Sequence, residues 1–274
     1  MCGIVGYVGD ENALPILIEG MRKLEYRGYD SAGVAVLSNG KISSVKKAGE
    51  LGNLEAALDG NALRGTTGIG HTRWATHGAP NDVNAHPHQD CSGRIAVVHN
   101  GIIENHDVLR DQLRAAGHEF TSETDTEVVA HLIESILDRE AGSLLDAVFE
   151  AVEKLEGAFA LVCVSAAEPD VIVVARQEPP IIVGAADGVG LVASDIPALL
   201  THTRDIVPLD NHQVAEVRRG SVRVFGFDRK EVEPQTVHVE WDLAAAEKSG
   251  FDDFMLKEIY EQPEAVRNTM IARV

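Results

Sequence analysis

The 274-residue chain sets 24 Lys and Arg against 43 Asp and Glu, a formal net charge of −19 at pH 7. That balance opposes a nucleic-acid surface, which needs clustered cations, but leaves open small anionic substrates, for which one well-placed Arg suffices. Hydrophobic residues at 45% and charged residues at 24% fit a folded chain, and with no apolar run near ~18 residues and no signal-peptide pattern it reads as cytoplasmic and without membrane contact.

Ile4–Val8 reads as a short apolar strand between Gly3 and Gly9. Leu14, Leu17, Ile18, Met21 and Leu24 recur at spacings of three and four, which predicts an amphipathic helix over residues 13–24. Strands are expected at Gly33–Leu37 and Lys41–Lys46 around an Asn39-Gly40 turn, then at Gly68–Trp74 and Ile95–His99. Helices follow at Val108–Ala116, Thr126–Arg139 and Leu144–Leu155, the second opened by Thr124-Asp125-Thr126-Glu127 at capping-box spacing.

From residue 158 the pattern turns to β: Ala158–Val164, Val171–Ala175, Ile181–Gly184, Gly190–Ala193, Gln213–Arg218 and Val222–Phe227, with a helix at Ile196–Thr201 among them. Period-two alternation with short Gly-containing turns predicts antiparallel pairing. Several helices beside many short strands indicate an α+β layered domain and not a Rossmann sheet. Residues 2–240 are expected to form it. Composition shifts at 241–274, an extension with a helix starting at Pro263 and running to Val274, as if the chain continued in a longer protein.

Cys2 is the residue with the most chemistry behind it. Removal of Met1 would give it a free α-amine, whose pKa of about 7.7–8.0 lies close to that of a thiol. One residue would then hold a nucleophile and its base. Taken alone, an ordinary small residue at the start of a strand is the better account. Cys2, Cys91 and Cys163 are too few for a disulfide framework and no CxxC pair is present. Gly65–Gly70 lacks nucleotide-loop order.

His71, His77, His86, His88, His99 and His106 crowd one stretch, but without zinc-type spacing, so a hydrogen-bonded loop is favoured and no metal or cofactor is expected. Arg73 closes a strand where it could grip a carboxylate, and residue type alone does not separate that from a surface ion pair. The Asn100 amide and the Gly101 N–H could converge on an oxyanion, although taken alone an Asn-Gly turn is the better account of the pair. Asp125 suits a helix N-terminus whatever its role.

Six blocks occur in order: Met1–Gly6, Tyr26–Ser31, His71–Gly78, Asn84–His88, His99–Asn105 and Thr124–Glu127. Together they resemble the glutaminase domain of the glutamine–fructose-6-phosphate aminotransferases, class II glutamine amidotransferases of the N-terminal nucleophile hydrolase superfamily. The resemblance extends to Lys257–Pro263. It implies a four-layer αββα sandwich of two antiparallel sheets, L-glutamine as substrate, Cys2 as nucleophile, and Asn100 and Gly101 as the oxyanion hole.

It further implies that Arg73, assisted by Thr76 and His77, holds the α-carboxylate and that Asp125 holds the α-ammonium. Arg27 would support the nucleophile and Trp74 the passage of ammonia. In full-length members of the family, sugar-isomerase domains follow and the protein is a homo-oligomer. Other class II amidotransferases, or a non-catalytic domain that keeps Met1, are the competing readings, and a metal-dependent hydrolase using the His cluster is a remote one.

Overall fold

The computed structural model describes residues 2–59, 63–139, 142–240 and 254–271. The chain divides into two compact units, Met1–Val239 and Glu240–Val274. In the first, fifteen described strands alternate with five helices. The strands are β1 (Gly3–Val8), β2 (Ser31–Ser38), β3 (Lys41–Ala48), β4 (Thr67–Arg73), β5 (His88–Gln89), β6 (Ile95–Ile103), β7 (Gly157–Ser165), β8 (Glu168–Gln177), β9 (Ile182–Ala186), β10 (Val189–Ala193), β11 (Asp205–Pro208), β12 (Gln213–Arg218), β13 (Ser221–Gly226), β14 (Glu231–Val232) and β15 (Val237–His238). The helices are α1 (Ala13–Lys23), α2 (Leu51–Leu58), α3 (His106–Ala115), α4 (Glu127–Arg139) and α5 (Leu144–Val152).

One sheet runs β15-β11-β9-β10-β1-β4-β2-β3 and the other β14-β13-β12-β8-β7-β6-β5. Every described pairing is antiparallel. The two-residue period of a strand sorts side chains between two cores. Ala96, Val98, Ala160, Val162, Ile172 and Val174 meet Ile4, Val8, Ala35 and Ile69 between the sheets. Their alternates Val97, Leu161, Cys163 and Val173 face α4 and α5.

Small residues allow the sheets and helices to approach closely. A Cβ on Gly6 of the first sheet would stand 3.5 Å from Ile172 Cδ1 of the second, and one on Gly20 of α1 would lie 2.8 Å from Val5. Helix, sheet, sheet and helix therefore stack as the four-layer αββα order that the family resemblance implies.

Several local expectations need correction. β6 does not end at His99; it continues through Asn100 and Gly101 to Ile103, paired throughout with β7. The 124–127 capping box does not form. Glu127 instead accepts the N–H groups of Thr121 and Ser122 at 2.8 and 2.7 Å, and Thr124 Oγ1 lies 3.0 Å from His88 Nε2. The helix expected at 196–201 is a single 3₁₀ turn, Ile196–Ala198. The short helix α2 was not expected, because Gly52 weakens its helical signal; Leu51, Leu54 and Leu58 bury one face of it.

The second unit holds α6 (Phe254–Ile271), with Pro263 in its interior rather than at its start. Residues 241–253 and 272–274 lie outside the described residues. Among the described residues no helix is long and apolar enough to cross a membrane.

Ile172 is fully buried between the sheets. Ile172→Ala is expected to cost about 2–5 kcal/mol, read as a lower urea midpoint with an unchanged denaturant slope.

Candidate active site

The site forms where β1 begins beside the end of β4. Gly3 opposes Thr72 in the ladder, and the Gly3 N–H donates to Thr72 Oγ1 at 3.1 Å. Residue 2 is thereby laid against the Arg73–Trp74 corner. The Trp74 N–H donates to Cys2 Sγ at 3.1 Å. The Cys2 carbonyl accepts from Asn100 Nδ2 at 3.0 Å and from Arg27 Nη1 at 3.2 Å. Arg27 is itself anchored by Ser194 Oγ at 3.0 Å and Asp195 Oδ2 at 3.0 Å. Its geometry is that of a support for the residue-2 backbone.

Burial pushes the Cys2 thiol above its ordinary pKa, and the Trp74 N–H offsets only part of that. The sulfur is therefore held as a neutral thiol near pH 7, and a nucleophilic role requires a base.

Asn100 is oriented from behind. His71 Nε2 lies 3.0 Å from Asn100 Oδ1 and 3.1 Å from the His99 carbonyl. Both are acceptors, so Nε2 carries the ring proton and the Asn100 amide nitrogen is turned toward Cys2. Gly101 follows at φ +127°, where an added Cβ would sit 2.0 Å from the Ala158 carbonyl. Only glycine fits there.

At the other end of the cleft Arg73 is buried. Its Nη2 donates to the His77 carbonyl, while Nη1 is buried with no hydrogen-bond partner. An orphaned guanidinium N–H beside a cleft is costly until a carboxylate accepts from it. Asp125 is buried at the entrance to α4, where Oδ2 accepts the Ile103 N–H at 2.8 Å.

Cys2, Arg73, Trp74, Asn100, Gly101 and Asp125, with Thr76, line one cleft of about 490 Å³. Two expected residues reach it indirectly. His77 acts through its carbonyl while its ring packs on His106 at 5.2 Å, and Arg27 acts through the Cys2 backbone. Trp74 is 56% exposed, with its ring against Gly28, where an added Cβ would come within 2.7 Å of Cζ3.

The sequence reading missed four participants. Ser194 and Asp195 hold Arg27 from 167 and 168 residues away, and Asp30 Oδ2 accepts the Ala75 N–H at 2.6 Å. Glu178, at φ +77° before Pro179 and Pro180, forms part of the cleft wall. The Pro-Pro pair was the visible signal for that last feature.

The crowded histidines are a packed assembly and do not converge on one point. His71 and His86 ring centroids lie 4.3 Å apart, and His86 and His88 4.8 Å. Burial pushes His71 down to about 3 and lowers His86, His88 and His99 as well. The unfolded chain, with His near about 6.5, therefore binds protons that the folded chain refuses. Stability must fall as pH drops below that value. The thermal midpoint is expected to decline between pH 7 and pH 5, ahead of carboxylate titration; a level midpoint across that window would contradict neutral buried rings.

Residues 71–201 match the glutamine amidotransferase domain family. Over 275 aligned residues, the whole of this chain, the sequence is 54% identical to the glutamine–fructose-6-phosphate aminotransferase (isomerizing) of Streptomyces coelicolor. It is 52% identical to that of Clostridium acetobutylicum over 274 residues. In each case it covers 45% of the relative, so the chain spans under half the length of these curated relatives.

Among solved structures, the glutamine phosphoribosylpyrophosphate amidotransferase of B. subtilis superposes with a TM-score of 0.70 at 25% identity, over 82% of this chain and 49% of that one. The chain belongs to the glutamine amidotransferases, and its length corresponds to the N-terminal portion of the glutamine–fructose-6-phosphate aminotransferases.

Proposed function

We propose that this chain hydrolyses the side-chain amide of L-glutamine through a thioester on Cys2, releasing glutamate and ammonia. The observation that carries the reading is the placement of a thiol, an aimed amide donor, a partnerless buried guanidinium N–H and a carboxylate around one cleft. Glutamine offers a matching set: a scissile amide at one end, and an α-carboxylate and α-ammonium at the other. Arg73 pairs with the carboxylate and Asp125 with the ammonium, which fixes the amide carbon against sulfur and supplies proximity.

Met1 is removed in this reading, so that the Cys2 α-amine takes the thiol proton as Sγ attacks the amide carbon. The carbonyl oxygen becomes an oxyanion held by Asn100 Nδ2 and the Gly101 N–H. The protonated amine then delivers its proton to the departing nitrogen, ammonia leaves, and water hydrolyses the thioester.

The same reading extends to the longer relatives. There the ammonia would convert fructose 6-phosphate to glucosamine 6-phosphate, for cytoplasmic amino-sugar synthesis, in a homo-oligomer. Residues 241–274 would lead from the glutaminase domain toward the sugar-isomerase domains. Identity near 50% with these aminotransferases, against 25% with the phosphoribosylpyrophosphate enzyme, supports the sugar-linked reading over its amidotransferase alternative.

Cys2→Ala is expected to abolish glutamate release, followed in a coupled glutamate assay. Asn100→Ala is expected to lower kcat by about 10²–10³-fold, as loss of one oxyanion donor does. Arg73→Ala should act mainly on KM, raising it about 10- to 100-fold for the loss of a charged hydrogen bond. Intact mass of active protein should lack the initiator methionine; full activity with Met1 attached would refute the proposed base.

A further inference from the structure

We propose that Cys91, His118, His131 and Glu134 form a zinc site, separate from the glutamine cleft. They come from three places: the turn between β5 and β6, the segment after α3, and one face of α4, where His131 and Glu134 stand three residues apart. One donor atom from each residue falls within 4.8 Å of the other three. Cys91 Sγ is 3.5 Å from His131 Nδ1 and 3.8 Å from His118 Nδ1. Glu134 Oε2 is 3.4 Å from His131 Nδ1 and 2.8 Å from His118 Nδ1.

Zinc bonds of about 2.3 Å to sulfur and about 2.0–2.2 Å to nitrogen and oxygen place tetrahedral ligands about 3.3–3.6 Å apart. Three of these four edges are within a few tenths of an ångström of that range. The short fourth is a His–Glu hydrogen bond that metal bonds would replace.

A second observation points the same way. His131 is almost fully buried, and its Nε2 has no hydrogen-bond partner. Glu127 Oε1 stands 3.7 Å from it. If Nδ1 holds the ring proton for Glu134, a bare Nε2 lone pair faces a carboxylate. Metal on Nδ1 moves that proton to Nε2, directed at Glu127, which is the carboxylate–histidine–metal arrangement.

A thiolate with two imidazoles and one carboxylate selects zinc over the hard cations Mg²⁺ and Ca²⁺. Four protein ligands make a closed, structural site. On binding, the Cys91 thiol loses its proton to solvent, and thiolate and carboxylate together balance the Zn²⁺ charge. Spacing could not reveal this set, because its members are spread along the chain from Cys91 to Glu134. The metal would tie α4 to the 117–126 segment that delivers Asp125.

The test uses the full chain, stripped with chelator and dialysed against zinc chloride, in a Cys2→Ala background to remove the cleft thiol as a competing ligand. About one zinc per chain is expected by elemental analysis, with a higher thermal midpoint. Cobalt in its place should give a tetrahedral d–d spectrum with a thiolate charge-transfer band that disappears in Cys91→Ser. Cys91→Ser and His118→Gln should each weaken zinc binding by more than about 10-fold, the lower end of what outer-shell changes alone cost. Cys163→Ala should leave metal content unchanged. Zinc absent from the dialysed protein, or held equally by Cys91→Ser, overturns the proposal.

Discussion

The Asn100 side chain reaches from one sheet to two groups of the other, and the site depends on that clasp. Its nitrogen donates to the Cys2 carbonyl and its oxygen accepts from His71 on β4. The amide can bridge in this way because alanines, valines and isoleucines fill the layer between the sheets, with Gly6 allowing a close approach to Ile172. Bulkier residues between the layers would move Asn100 away from residue 2. The chemistry thus rests on the thickness of an apolar core, and the dry surroundings that strengthen its hydrogen bonds are the same core.

That dryness also sets a requirement. A desolvated thiol resists ionisation, so a site that buries Cys2 must bring a base within reach. Nearby imidazoles are present, but burial keeps them neutral and their positions commit them elsewhere. His71 orients Asn100, and His99 Nδ1 lies 2.9 Å from Thr126 Oγ1. In the proposed mechanism the α-amine fills the role because it needs no separate residue to position it. Its own Cα carries the sulfur.

Much of this was legible in the sequence, for identifiable reasons. Period-two alternation marked the antiparallel strands, and Arg73 at the end of β4 together with the Asn100-Gly101 pair marked the cleft. The functional pairs that could be read were those whose members lie close in sequence. What could not be read was set by long-range pairing. Ser194 and Asp195 gain meaning only when β10 lies beside β1. Asn100-Gly101 looked like a turn because turn chemistry and strand continuation share those residue types; pairing with β7 decided between them. Glu127 abandoned its expected local partner because Thr121 and Ser122 together offered it four donors, two backbone N–H groups and two hydroxyls.

The uninterrupted course of β6 works as a ruler. Asn100 and Gly101 sit on it, and two residues farther on the Ile103 N–H grips Asp125. Backbone pitch, about 3.3 Å per residue, fixes how far Asn100 and Gly101 stand from Asp125. On the proposed chemistry, an amino-acid amide one methylene shorter could satisfy either end but never both, so asparagine would be turned away by geometry rather than by any repelling group.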